Sequence, residues 1–371
     1  MEASKKQGLS KYDSLAIKGI AILFLLFHHL YSTTDRFKGY DISFYPFSQD
    51  FVVGVSFILK ICVSIFAFIT GYGLLKSISK TEFNRKSIFK WNVTRLVKTM
   101  SGFWFIYVIA FIATMIIDRM PVRTYFKDSI TEGIFYIIND FLGLANLLGT
   151  PTLNSTWWYM SAAIIFILMV PLVYMLSKKI GYLPVIIGLM ALPRLLGDGY
   201  PGGVNAYTFI MPVIFGMIFA DYNIFEKIEE HSPKSKTVAY ILHLVVFSAL
   251  IVLSMVASAK YDRTVAWELI YGVVPVIFIC FFRFCIIRIP VLKSVLIFLG
   301  KHSMTIFLTH TFIRQKYLRD FTYSFGNFAL IFIVLLAVST VLAVALDYIK
   351  KLCRYDRLIS KALERFNKKL S

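Results

Sequence analysis

The chain has 371 residues, 58% of them hydrophobic and only 16% charged, yet its formal net charge is +19. Its mean hydropathy is +0.70, whereas an ordinary soluble domain is about 45–50% apolar and about 25% charged. A disordered polycation is excluded by 35 Phe, 21 Tyr and many aliphatic residues, and a soluble nucleic-acid binder by the lack of polar surface to accompany the basic charge. The remaining class is an all-α polytopic membrane protein with its positive charge collected in loops on one side.

At about 20 apolar residues per crossing, ten spans are expected. They lie near 15–31, 51–75, 97–117, 157–176, 180–196, 206–222, 238–258, 265–282, 302–318 and 327–348, the ninth alternatively beginning near 294. This gives a transmembrane domain over 1–349 and a basic cytoplasmic tail over 350–371. The first span, preceded by Lys5, Lys6 and Lys11, imitates a secretory signal. It lacks a small-residue cleavage site and ends on His28-His29, so it reads as a retained helix.

With the N-terminus inside, 27 of the 40 Lys and Arg fall on the cytoplasmic side and 11 on the other, which places both termini in the cytoplasm. The +19 then needs no nucleic acid. The one long extramembrane stretch is 118–156, whose 133–149 part is apolar enough to lie along the interface. The tail intersperses Leu352, Ile359, Leu363 and Phe366 with basic residues and is expected on anionic lipid headgroups. Four cysteines without CxxC spacing support neither a disulfide framework nor a metal site. Chemistry is therefore expected among the membrane helices.

Titratable residues inside a span are costly and usually face an interior cavity. Lys18 and His29 are eleven positions apart, about 1100° at 100° per residue, which is three turns and a little more. They share one face of the first helix, with Lys18 near the cytoplasmic mouth and His29 deeper by roughly 16.5 Å. A cation there could hold a phosphate, and a buried imidazole could act as base or transient acceptor. Equally, Lys18 fits routine positive-inside anchoring, and His29 an interfacial position. His28 is rotated about 100° from His29, so both cannot point into one narrow site. Arg95 and Lys98, at i and i+3 at the start of the third span, could clamp a phosphorylated group or simply anchor the helix. Trp157-Trp158-Tyr159 reads as an aromatic belt, and His310 as a packing residue or part of a site.

These residues resemble the acyltransferase-3 family of integral membrane acyltransferases. Ile17-Lys-Gly-Ile-Ala through His29 is similar to its first-helix signature, in which a basic residue precedes a His by eleven positions. Ser64 through Thr70-Gly71-Tyr72, Arg95-x-x-Lys98 followed by Gly102-Phe-Trp, and Trp158-Tyr-Met-Ser with Pro171 resemble later motifs in order. Gly300-Lys-His-Ser303 through His310 completes the series, so the resemblance covers about 12–318. Lys18 and Lys98 stand where the family has Arg, which keeps the charge but loses the bidentate fork. Ala163 and Ile164 replace acidic residues of some branches.

The resemblance implies the stand-alone branch without an SGNH-type domain, located in a bacterial plasma membrane. It implies transfer of an acyl group, usually acetyl, from acetyl-CoA to a hydroxyl of a cell-surface glycan or lipid-linked sugar, without a metal. Lys18, Arg95 and Lys98 inherit the acyl-CoA role and His29 the catalytic one, with His28, Trp158 and His310 as further lining. The competing expectation is a transporter or flippase in which His29, Lys60 and His310 relay protons. Against it, no inverted repeat or matched pair of broken spans is visible.

Overall fold

The computed structural model describes residues 8–127, 129–195, 206–260 and 267–370, and among them the chain consists of helices joined by loops, with one isolated bridge between Ser43 and Asn327 as its β pairing. Ten principal helices follow one another: α1 (Lys11–Tyr31), α2 (Gln49–Ile78), α3 (Arg85–Asp118), α4 (Ser155–Ile180), α5 (Tyr182–Leu195), α6 (Tyr207–Asp221), α7 (Lys236–Lys260), α8 (Trp267–Phe284), α9 (Pro290–Tyr317) and α10 (Phe328–Leu352). Side-chain caps start several of them. Ser10 and Asp13 form a capping box on α1, and Ser48, Asn84 and Asn327 accept from backbone N–H groups at the starts of α2, α3 and α10.

All ten expected spans therefore have a helix, but they are not ten equal crossings. Eight helices among the described residues are long and apolar enough to span a bilayer. α5 is described over 14 residues, up to Leu195, a rise of about 21 Å. α6 continues into Ile224–Glu230 through a 55° bend, where Asn223 takes a left-handed conformation at φ 51°. The ninth span begins at Pro290, earlier than expected, because a proline is tolerated in a helix's first turn. Residue 196 of the fifth expected span, residues 265 and 266 of the eighth, and Lys5 and Lys6 lie outside the described residues.

Loop contacts sort into two sets, one at each end of the bundle. At one end Asp13 pairs with Lys293, Lys76 donates to Asn223, Lys178 pairs with Asp221, and the tail helix Tyr355–Lys369 meets α3 through Thr94 and Asn367. At the other end Tyr40 bonds Asp320, Asp118 pairs with Lys316, and Ser43 bridges to Asn327. The first end carries the described basic segments, the start of α1 and the tail helix, the arrangement that the charge count requires of the cytoplasmic side. The interfacial stretch forms a helix at Ile130–Phe141 and a short turn at Ala145–Leu148.

Two helix crossings build the centre. On α1 a Cβ at Gly19 would lie 2.1 Å from the Leu296 carbonyl oxygen, and on α9 a Cβ at Gly300 would lie 1.9 Å from that of Leu15. Gly71 of α2 and Gly216 of α6 meet the Val213 and Phe68 carbonyls in the same reciprocal way, at 2.0 and 2.1 Å. Small residues at such crossings let backbones approach closely where lipid removes the hydrophobic drive for helix association. The resembling motifs around Gly19, Gly71 and Gly300 thus mark packing contacts. Because α1 and α9 run parallel and are level at Gly19 and Gly300, positions ten residues further along each helix reach one height. Those positions are His29 and His310.

Candidate active site

The imidazoles of His29 and His310 lie 4.9 Å apart, centroid to centroid. The His310 Nδ1–H donates to the Phe307 carbonyl at 2.8 Å, which leaves Nε2 as an acceptor facing the Thr311 hydroxyl at 3.3 Å. Thr311 in turn lies 3.4 Å from Thr156, whose hydroxyl donates to Asn154 at 2.8 Å. His29 is held differently. Arg36 donates to its carbonyl at 2.9 Å and to its Nδ1 at 3.3 Å, and because a guanidinium only donates, Nδ1 carries the lone pair. His28 turns away as its 100° offset requires, its Nδ1 donating to the Ser56 carbonyl at 2.8 Å.

Two cavities meet at His29. One, of about 290 Å³, extends from Lys18 past Thr70, Trp158, Tyr159 and Phe307 to His29, and is mostly apolar in its lining. The other, of about 400 Å³, opens at the opposite end and is lined by His29, Arg36, Thr156, Arg314 and Arg319 among others. His29 and Thr156 are the residues common to both linings. The shared face deduced for Lys18 and His29 is thus the wall of a single cavity, and Trp158 lines it as well. Arg95 is half-buried and bonded to Ser77, while Lys98 is exposed and lines neither cavity. An i, i+3 pair differs by about 60° around a helix, enough for one member to turn inward and the other out. Lys60 lies 5.5 Å from the centre of the Tyr271 ring and also lines neither cavity.

Residues 13–348, nearly the whole chain, match the family defined by the acyltransferase domain, the acyltransferase-3 type. The chain belongs to this family. It is a multi-pass membrane acyltransferase, and the transporter reading is set aside. No curated protein and no solved structure matches the chain.

The acyltransferase positions Thr156 through the extramembrane segment. Asp140, 1% exposed, accepts from Tyr125 at 2.5 Å, from the Leu153 amide at 2.7 Å and from Thr152 at 2.8 Å. Burial nonetheless pushes its carboxyl above the usual range. Just beyond this anchor, Trp157 and Asn154 both donate to the Leu308 carbonyl of α9, at 3.0 and 3.4 Å, which docks the segment beside His310. Replacing Asp140 with Ala removes the acceptor of three donors, of which the Tyr125 and Leu153 contacts are buried, and each orphaned buried group costs about 1–3 kcal/mol. The Asp140→Ala acyltransferase is expected to melt several degrees lower in detergent and to lose transfer activity, with Asp140→Asn intermediate. An unchanged melting midpoint would show that the anchor is not needed.

Nothing in the sequence pattern marks Thr156, Arg36, Arg314 or Arg319 as site residues. Arg314 lies four positions after His310, where a one-face spacing could have flagged it, but it falls in the charge count as a loop cation. The helix in fact continues past His310 as a π-helical segment, Phe312–Tyr317, a form frequent at functional sites. Arg36 lies beyond the end of α1 in a 3-10 turn at Thr34–Arg36, where helical periodicity carries no information.

Proposed function

We propose that the acyltransferase moves an acetyl or other short acyl group from cytoplasmic acyl-CoA to a hydroxyl of a cell-surface glycan or lipid-linked sugar, in the plasma membrane of a bacterium. The observation that carries this reading is the cavity with Lys18 toward the basic end and His29 at its inner end. Its apolar walls suit an extended pantetheine arm, and the Lys18 ammonium suits a phosphate or other anion at the mouth. Arg95, half-buried on α3 near the same end, would add a second cation for the nucleotide. Lys98 is exposed and would act only at the surface.

In the reaction the neutral imidazole of His29 takes the proton of the acceptor hydroxyl as its oxygen attacks the thioester carbonyl. The carbon–sulfur bond breaks, the CoA sulfur leaves and collects the proton from His29, and the products are the ester and free CoA thiol. His310, locked by its own hydrogen bonds, supports the ring of His29 from the side. His28 is outside the step, being bonded to Ser56.

Membranes containing the protein, given radiolabelled acetyl-CoA, are expected to deposit label in a glycan or lipid-linked sugar fraction. Loss of one charge-assisted contact costs about 1.5–3 kcal/mol, so Lys18→Ala is expected to raise the acyl-CoA KM by roughly 10- to 100-fold. Label found nowhere but in free acetate would sink the transfer reading, and an unchanged KM in Lys18→Ala would remove Lys18 from the donor site.

A further inference from the structure

The cavity beyond His29 holds a concentration of positive charge that the transfer step just described does not use. Arg36, Arg314 and Arg319 all line it, with Asp35 as its one carboxylate. Among the described residues none of the three guanidiniums pairs with a carboxylate, although nearby Lys316 and Arg123 both pair with Asp118. Arg314 is only 5% exposed, its side-chain partners are the neutral Gln315 amide at 3.3 Å and the Tyr323 phenol, and its Nε has no hydrogen-bond partner. Arg319 stacks over the Tyr40 ring and donates to the Arg36 carbonyl at 3.3 Å. Arg36 directs one nitrogen, Nη1, at His29. Burial, with the neighbouring Arg314 charge, lowers the Arg36 guanidinium to about 10, so it remains a cation at neutral pH.

A buried guanidinium without a counter-charge is expensive to maintain, and it is tolerated where an incoming anion completes it. Guanidinium matches carboxylate and phosphate oxygens in a planar, bidentate manner that favours these anions over neutral hydroxyls. The position of the cluster also matters. It sits at the end opposite the basic loops, in the cavity that shares His29 and Thr156 with the Lys18 cavity, and so on the acceptor's side of the reacting centre.

We propose that this cavity is an acceptor subsite built for an anionic sugar, whose carboxylate or phosphoryl oxygens are bound by Arg314 and Arg36 with Arg319 at the rim. The inference rests on the acyl-transfer reading above and adds the chemical class of the acceptor. It also gives Arg36 a second duty. In the absence of acceptor, Arg36 occupies the Nδ1 lone pair of His29. An anion that draws the guanidinium onto itself frees that lone pair for the hydroxyl proton, so the base becomes available when the correct acceptor is seated. Arg36 and Arg314 are thus positioning and binding residues rather than proton carriers.

The test is equilibrium binding to the purified full-length protein in detergent, read as ligand-induced stabilisation, which needs no turnover. Galacturonate and galactose 1-phosphate are the anionic probes, galactose the neutral one, and acetyl-CoA an independent fourth ligand. At least one anion is expected to raise the melting midpoint by several degrees once it is about 100-fold above its Kd, with galactose inert. Whichever anion is the more effective identifies the source, a uronic-acid-type carboxylate or a sugar phosphate. Arg314→Gln and Arg36→Gln are expected each to abolish that shift and leave the acetyl-CoA shift in place, while Arg314→Lys retains part of it. Stabilisation by galactose equal to that by the anions, no stabilisation by either anion, or anion stabilisation surviving in both Gln variants would overturn the subsite. Absence of the acetyl-CoA shift would instead count against the donor reading, so the two failures are distinguishable.

Discussion

Replacement of His29 by alanine is expected to reduce acyl transfer by about 10²- to 10⁴-fold, the usual worth of a positioned general base, while the protein still accumulates in the membrane. The position is unusual within the fold. Its side chain is the point at which the apolar cavity from Lys18 and the arginine-lined cavity meet, so no other titratable group touches both. His310 is the nearest substitute, but its ring is fully buried and both of its nitrogens are already engaged. His28, adjacent in sequence, is spent on the Ser56 carbonyl of α2. His28→Ala is therefore expected to lower stability modestly and leave transfer within a few-fold. The measurement is transfer of labelled acetyl by membranes matched for protein amount. Normal transfer by His29→Ala would remove this residue from the chemistry. Label retained covalently on the wild-type protein before acceptor is added, and absent in His29→Ala, would show that the imidazole carries the acyl group itself rather than only a proton.

The second large effect is expected at a residue with no chemistry at all. Gly300→Ala places a methyl group 1.9 Å from the Leu15 carbonyl oxygen, and Gly19→Ala places one 2.1 Å from that of Leu296. Both obstacles are backbone, which has no rotamer to change, so α1 and α9 must separate or slide. Overpacking typically costs about 1–3 kcal/mol, and these substitutions are expected at or above the upper end. Their effect should reach activity as well, because His29 and His310 are set level by this crossing. Gly73→Ala is the control: nothing lies within 4 Å of its added Cβ, and alanine is the better helix former by up to about 1 kcal/mol. Thermal unfolding in detergent should show Gly300→Ala and Gly19→Ala well below the wild type and Gly73→Ala at or slightly above it. Equal midpoints for Gly300→Ala and Gly73→Ala would mean that the close crossing does not hold the bundle.

The parts of the site that were legible beforehand share one property, that of lying within a single helix. Lys18 and His29 are fixed relative to each other by 100° per residue along α1, and that rule holds whatever packs against the helix. The same rule correctly separates His28 from His29. It says less for Arg95 and Lys98, because it gives their relative angle and not which of them faces inward. The direction is decided by α2, which offers Ser77 to Arg95. The count of ten apolar segments was likewise readable, whereas the bend after α6 depends on where helices stop. Asn223 ends one of them by a left-handed turn, a conformation that asparagine permits but does not dictate.

By itself, then, the sequence determined that this is a helical membrane protein, which end of it is basic, and that a cation and a histidine share one face of the first helix. Hydropathy, loop charge and helical period are local quantities, and each can be summed along the chain without knowing the fold. Only the tertiary structure decided that His310 stands beside His29, that Thr156 closes the gap between two cavities, and that Arg36, Arg314 and Arg319 converge without a carboxylate partner. These groups come from segments more than a hundred residues apart. Their common height is set by glycine-to-carbonyl contacts between α1 and α9 and by the Asp140 anchor of the 118–156 segment. Contacts of that kind have no period and no composition, so they come into being only when the helices pack.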